Sequence, residues 1–208
     1  MTQSKTLRRW ELALLLGVAL AALLGVWLDG AQAALSDRVI RLHVLANSDS
    51  EADQALKLRV RDAVLAEAEE LFVPGAGRAE TEELLRAHLY DLAAAGAEVV
   101  GEAGYSYPVT ASLVHDYWFP PKTYTDFALP AGAYTALRIE IGAGGGQNWW
   151  CVVFPPLCLG SVSETTQETA LEAGLTENQV SLMTGEDEGY VVKFKAVELL
   201  EQFKGWLV

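Results

Sequence analysis

The longest uniform stretch of the chain is apolar. Leu12 to Leu28 carries no charge, follows the basic residues Lys5, Arg8 and Arg9, and is broken by Asp29-Gly30. As a helix it would cover roughly 25 Å, close to the hydrocarbon thickness of a bilayer. It has no polar face, so a core helix fits it poorly. Ala31-Gln32-Ala33 then has the small-x-small form of a signal-peptidase site, with Ala34 as the first residue after the cut. This order predicts export. Residues 1–33 are a signal peptide or an uncleaved membrane anchor, cleavage being preferred, and residues 34–208 form one domain.

Beyond the leader the pattern changes period several times. Ile40, Leu42 and Val44 alternate with Arg41, His43 and Leu45, which predicts a strand with one buried face and His43 on the other, at the surface or half-buried. Asn47 to Asp53 is polar, and Ser48 with Glu51 or Ser50 with Asp53 fits a helix cap. A calcium loop is excluded there, because Ala52 and Leu58 stand where glycine and glutamate are required. A helix follows to about Phe72, with Leu56, Val60, Ala63, Val64 and Leu71 on one stripe and Lys57, Arg61 and Glu67 away from it. Pro74 to Gly77 ends it. A second helix starts at Thr81, with Leu85, His88, Leu89, Leu92 and Val99 near one face, and frays between Gly96 and Gly104.

From Tyr105 the alternation is that of strands. Tyr107 to Phe119 is one, and Ala133 to Ile141 is another. Pro120 to Tyr124 is a turn or extended arm, and Leu129 to Gly132 is a turn. Gly142 to Gly146 is expected to be a hairpin loop into a buried strand from Asn148 to Phe154. Ser161 to Asp187 reads as a loose or partly helical excursion, and Tyr190 to Val208 as a last helix. The order β-α-α-β-β-β-α predicts an α+β fold of two layers, a mainly antiparallel sheet with helices packed on one face.

Composition sharpens this in two places. Cys151 and Cys158 are the only cysteines, and Pro155-Pro156 bends the chain between them. In an exported protein such a pair is read as a disulfide, worth roughly 2 to 3 kcal/mol in the chain-entropy model; two inert buried thiols are the alternative. The charge also divides. Residues 34–208 hold 12 basic and 26 acidic side chains, a net of −14, within a chain of net −13. Such a body has no electrostatic attraction for nucleic acid or anionic lipid.

Catalytic and metal-binding patterns are not found. There is no Gly-x-Ser-x-Gly elbow, no His-Glu-x-x-His, and no Asp-Thr-Gly or Asp-Ser-Gly. His43, His88 and His115 have no paired spacing for zinc. His115-Asp116 is weak as a catalytic pair because strand neighbours face opposite ways. The glycine run lacks the lysine and helix of a phosphate loop. The expectation is a non-enzyme without cofactor or metal.

Four stretches carry a family likeness: Leu45 to Val64, Phe119 to Tyr124, Leu129 to Arg138, and Gly146 to Cys158 with its Trp149-Trp150-Cys151 core. Together they span about residues 38–160, and they resemble the stage II sporulation protein R family. The resemblance implies a signalling protein of endospore formation, secreted from the forespore into the space between two membranes. Its partner there would be a membrane-embedded aspartic protease of the mother cell, which processes the sigma factor E precursor. The family supplies no catalytic residues. Candidate partner contacts are Trp149 and Trp150, of which at most one is fully in the core, and the arm bearing Pro121, Lys122 and Tyr124. The competing reading is an exported cell-wall glycan-binding module or peptidoglycan-acting enzyme that uses aromatics as a stacking platform.

Overall fold

The computed structural model describes residues 9–73, 75–124, 126–157 and 166–184, without the side chains of 9, 21, 24–29 and 31. Its elements in chain order are α1 (Arg9–Ser36), β1 (Ile40–Leu45), α2 (Glu51–Glu70), α3 (Arg78–Ala87), α4 (Leu89–Glu102), β2 (Val109–Phe119), β3 (Lys122–Thr123), β4 (Ala128–Leu129), β5 (Gly132–Ile141), β6 (Asn148–Phe154), α5 (Thr166–Glu172) and α6 (Glu177–Thr184). The expected helix over Tyr190 to Val208 lies outside the described residues.

Four strands form the main sheet in the order β2-β5-β1-β6. β2 and β6 run antiparallel to their neighbours, whereas β1 and β5 are parallel. The sheet is therefore mostly antiparallel, as expected. The glycine segment is not a hairpin loop, however, because β1 lies between β5 and β6. It is a crossover over the end of β1. Gly142 (φ +59°) leaves no room for a side chain, since a Cβ would collide with Asn47, and a Cβ at Gly146 would collide with the Ser48 carbonyl.

On one face of the sheet, Ile40, Leu42, Val44, Leu137, Ile139, Ile141, Cys151 and Val153 pack against Leu56, Val60, Val64, Leu85 and Leu92 from the helices. Gly96 brings α4 close to α2 and β2: a Cβ there would lie 3.0 Å from Val109 and 3.1 Å from Val60. The predicted fraying at Gly96 is thus replaced by tight packing, and the helix continues to Glu102. The predicted single second helix is broken into α3 and α4 at His88, whose Nδ1 lies 2.9 Å from the Leu84 carbonyl oxygen.

The opposite face is also covered, so the two-layer expectation is corrected. Leu35 at the end of α1, Phe127 and Leu129 around β4, and Ala170, Leu175, Val180 and Met183 around α5 and α6 pack against Val39, Phe119, Tyr134, Ala136 and Val152. The cause is β1, all six of whose residues are buried; a central strand needs cover on both sides. The stretch read as a loose excursion supplies part of that cover.

Residues 9–33 of the predicted leader fall within α1, which runs through residues 33 and 34 without a break, and residues 1–8 lie outside the described residues. Ala33 and Ala34 are exposed, the side chain of Ala31 is not described, and Gln179 donates to the Ala34 carbonyl at 3.1 Å. Leu12, Leu14, Leu15, Leu16 and Leu20 are exposed. Among the described residues no helix is long and apolar enough to cross a membrane.

Candidate functional site

The loop after β1 fixes the tryptophan strand in place. Ser50 caps α2, its Oγ accepting from Asp53 N at 3.2 Å, as the capping pattern predicted. The Asp53 carboxylate accepts from Asn47 Nδ2 at 2.9 Å and Ser48 Oγ at 2.5 Å. These bonds, the Ser48 one foremost, hold its pKa below 3.8. Asn47 Oδ1 accepts from Ala143 N at 3.0 Å, and Asp49 Oδ1 from Gln147 N at 2.7 Å. Lys57, expected away from the core, is buried and donates to the Gln147 carbonyl at 2.9 Å. The stretch Asn47 to Lys57 is thus a clasp that holds the glycine crossover and sets the register of β6.

β6 then presents its tryptophans to opposite faces, as alternation requires. Trp149 lies opposite Val44 and is 37 % exposed, with the Arg61 guanidinium 4.4 Å from its ring. Trp150 lies opposite His43 and is half-buried among aromatics. Cys151 is buried on the α2 side. Cys158 lies outside the described residues.

The second face of the sheet holds an unexpected group of polar side chains. His43, predicted at the surface or half-buried, is fully buried, and so is Arg41. The Arg41 guanidinium stacks 4.1 Å from the Phe119 ring and 5.0 Å from that of Tyr134. Its one described acceptor is the Tyr124 hydroxyl, at 3.4 Å. Burial lowers its pKa from the ordinary guanidinium value, with the two tyrosines opposing the shift. His43 Nε2 lies 2.7 Å from Asn148 Oδ1, and the ring packs against Tyr117 and Trp150. Burial lowers its pKa below 6.5; the Asn148 bond opposes this, and Arg138 and Arg41 reinforce it. Tyr134, also buried, donates to the Pro130 carbonyl at 2.8 Å.

Lys122 is exposed on the small β3–β4 sheet, and Pro121 is exposed just before it. Tyr124 is instead turned inward, stacked 4.4 Å from Phe127, with its hydroxyl donating to the Trp150 carbonyl at 3.4 Å. The structure therefore brings Tyr124 and Trp150 together beside Arg41 and leaves Trp149, Pro121 and Lys122 on the outside. His115 is not paired with Asp116, which sits at a bulge with φ 54°. His115 Nε2 lies 3.4 Å from Glu82, a buried carboxylate also held by Arg78 at 2.7 Å and Arg86 at 2.6 Å. No group of three or more metal-binding side chains occurs among the described residues.

Residues 36–164 match the family model described as Stage II sporulation protein R. The chain belongs to the stage II sporulation protein R family. It is 39 % identical over 124 residues to the stage II sporulation protein R of Bacillus subtilis (strain 168), covering 60 % of this chain. The match spans 55 % of that relative's length. No solved structure matches the chain. The clasp, the β3–β4 sheet and the tryptophan strand all lie within the part shared with the family.

Arg41 and Arg138 are joined in one group only by the pairing of β1 with β5. The available signal was parity: both sit on the strand positions that alternate with the apolar ones, where an acidic chain has little reason to place two arginines.

Proposed function

We propose that this protein is the exported signal of endospore formation, passed from the forespore to the mother cell. It activates a membrane-embedded aspartic protease, which then processes the sigma factor E precursor. The observation that carries this reading is the family match over residues 36–164. The leader sequence supports it, since a secreted messenger needs an export segment. In this reading residues 1–33 direct export, Cys151 and Cys158 close a disulfide outside the cytosol, and the folded body is recognised as a shape.

Trp149 is the proposed anchor for the receptor. It is a large aromatic side chain, partly exposed on a strand held from behind by the clasp, and such residues dominate binding energy at interfaces. Pro121 and Lys122 form the second proposed contact. The test is co-expression of protease and precursor with wild type, Trp149→Ala or Trp150→Ala. Trp149→Ala should fold and be exported normally yet lose most precursor processing, whereas Trp150→Ala should lower stability as well. Processing that follows only the amount of folded protein would remove Trp149 from the interface. Binding to or cleavage of purified peptidoglycan, with no protease activation, would replace the signalling role with the cell-wall one.

A further inference from the structure

Buried nitrogens without hydrogen-bond partners are concentrated on the second face of the sheet. Among the described residues they are Nε and Nη1 of Arg41, Nε of Arg138, Nε1 of Trp150 and Nδ1 of His43, with Arg78 Nε the one other case. Register explains why they meet. His43 lies opposite Arg138 on β5 and opposite Trp150 on β6, and Arg41 is two residues along the same face of β1. The His43 ring is 6.3 Å from that of Trp150, and both lie within 6.2 Å of Phe119, against which Arg41 stacks.

Native proteins leave few buried polar groups unpaired, and a buried guanidinium without a counter-charge is among the costliest. None of the described ion pairs involves Arg41. Arg138 is matched in part by Glu140, Nη2 to Oε1 at 2.9 Å. The cluster therefore keeps about one positive charge in excess and several N–H groups in need of an acceptor. One end of the cluster lies near solvent: Thr110 and Asn148 are exposed there and Arg138 is half-buried. At the other end Arg41 stacks on Phe119 and Tyr134, which pack with residues of α1, α5 and α6.

We propose that this cluster is a binding site for a single carboxylate, the side chain of an Asp or Glu residue or a free small carboxylate. The group enters at the Asn148 edge and accepts from Arg41, Arg138 and Trp150. Guanidinium forks match a planar carboxylate, and Glu140 at the rim disfavours a doubly charged anion. The proposal does not depend on the signalling role.

The test is calorimetric titration of the full chain at fixed ionic strength with acetyl-glutamate methylamide, its neutral glutamine analogue, and acetate. The glutamate probe should bind saturably and the glutamine probe should not. Acetate binding as tightly as glutamate identifies a free carboxylate as the source; weaker acetate binding identifies a peptide-borne one. Arg41→Met should weaken glutamate binding by about tenfold or more, since a charge-assisted hydrogen bond is lost. Arg41→Lys, which keeps the charge without the fork, should fall between. Equal behaviour of the glutamate and glutamine probes on wild type would overturn the site whatever the variants do. So would unaltered glutamate binding by Arg41→Met.

Discussion

The two faces of the central sheet are built differently. The face against α2, α3 and α4 is aliphatic: Leu42, Val44, Leu137 and Ile139 meet Leu56, Val60 and Leu92, all at 3 % exposure or less. The face against α1, α5 and α6 buries Arg41, His43 and Tyr134 around Phe119, with nitrogens left unpaired. The same four strands supply both. Aliphatic packing stabilises a fold with no polar cost. A buried, under-satisfied cation does the reverse, so the second face holds groups that stability alone does not call for. In this comparison the first face makes the domain and the second face carries the proposed carboxylate site.

The contrast can be probed from its strongest effect to its weakest. Leu137→Ala on the first face should cost about 2 to 5 kcal/mol by urea unfolding, the range for a buried leucine truncated in a tight core. A loss under about 1 kcal/mol would mean that this face is loosely packed. Gly96→Val forces methyl groups between Val60 and Val109 and should cost about 1 to 3 kcal/mol.

Acid should act on the faces in turn. His43 has its pKa lowered by burial and Asp53 by its hydrogen bonds. In both cases the unfolded chain binds protons at higher pH than the folded chain, so stability falls as pH falls. The first loss should begin below 6.5 and come from the second face; the other should begin below 3.8 and come from the clasp. Unfolding free energy measured against pH should show both stages, and His43→Gln should remove the upper one. Trp149→Ala, which removes only an exposed tryptophan over Arg61, should change stability by about 1 kcal/mol or less.

Much of the first face could be read from the sequence, because alternation in β1 and β5 and the stripe Leu56, Val60, Val64 each name a buried side. The clasp was legible as a helix cap through Ser50 and Asp53. Its second task, holding Gly142 to Gln147, was not, since that needs the crossover that places β1 between β5 and β6. A glycine run between two strands looks like a hairpin when only neighbours along the chain are considered. The burial of Arg41 and His43 was hidden for a related reason. Alternation assigns a polar face to solvent, and nothing local to β1 shows that Tyr117, Phe119, Tyr124, Tyr134 and Trp150 will close over it. Of the candidate contacts, the opposed directions of Trp149 and Trp150 followed from strand geometry, whereas the inward turn of Tyr124 depends on its stacking with Phe127.

The difference between the faces is tested most directly by the unfolding midpoint of Arg41→Met in the full chain. Methionine keeps the apolar stem and removes the unpaired charge, and replacing a poorly paired buried charge in this way is commonly neutral or stabilising. The predicted result is a midpoint equal to or above that of wild type. A clear fall, comparable to that of Leu137→Ala, would show that Arg41 is a structural support and that the second face, like the first, exists to hold the fold.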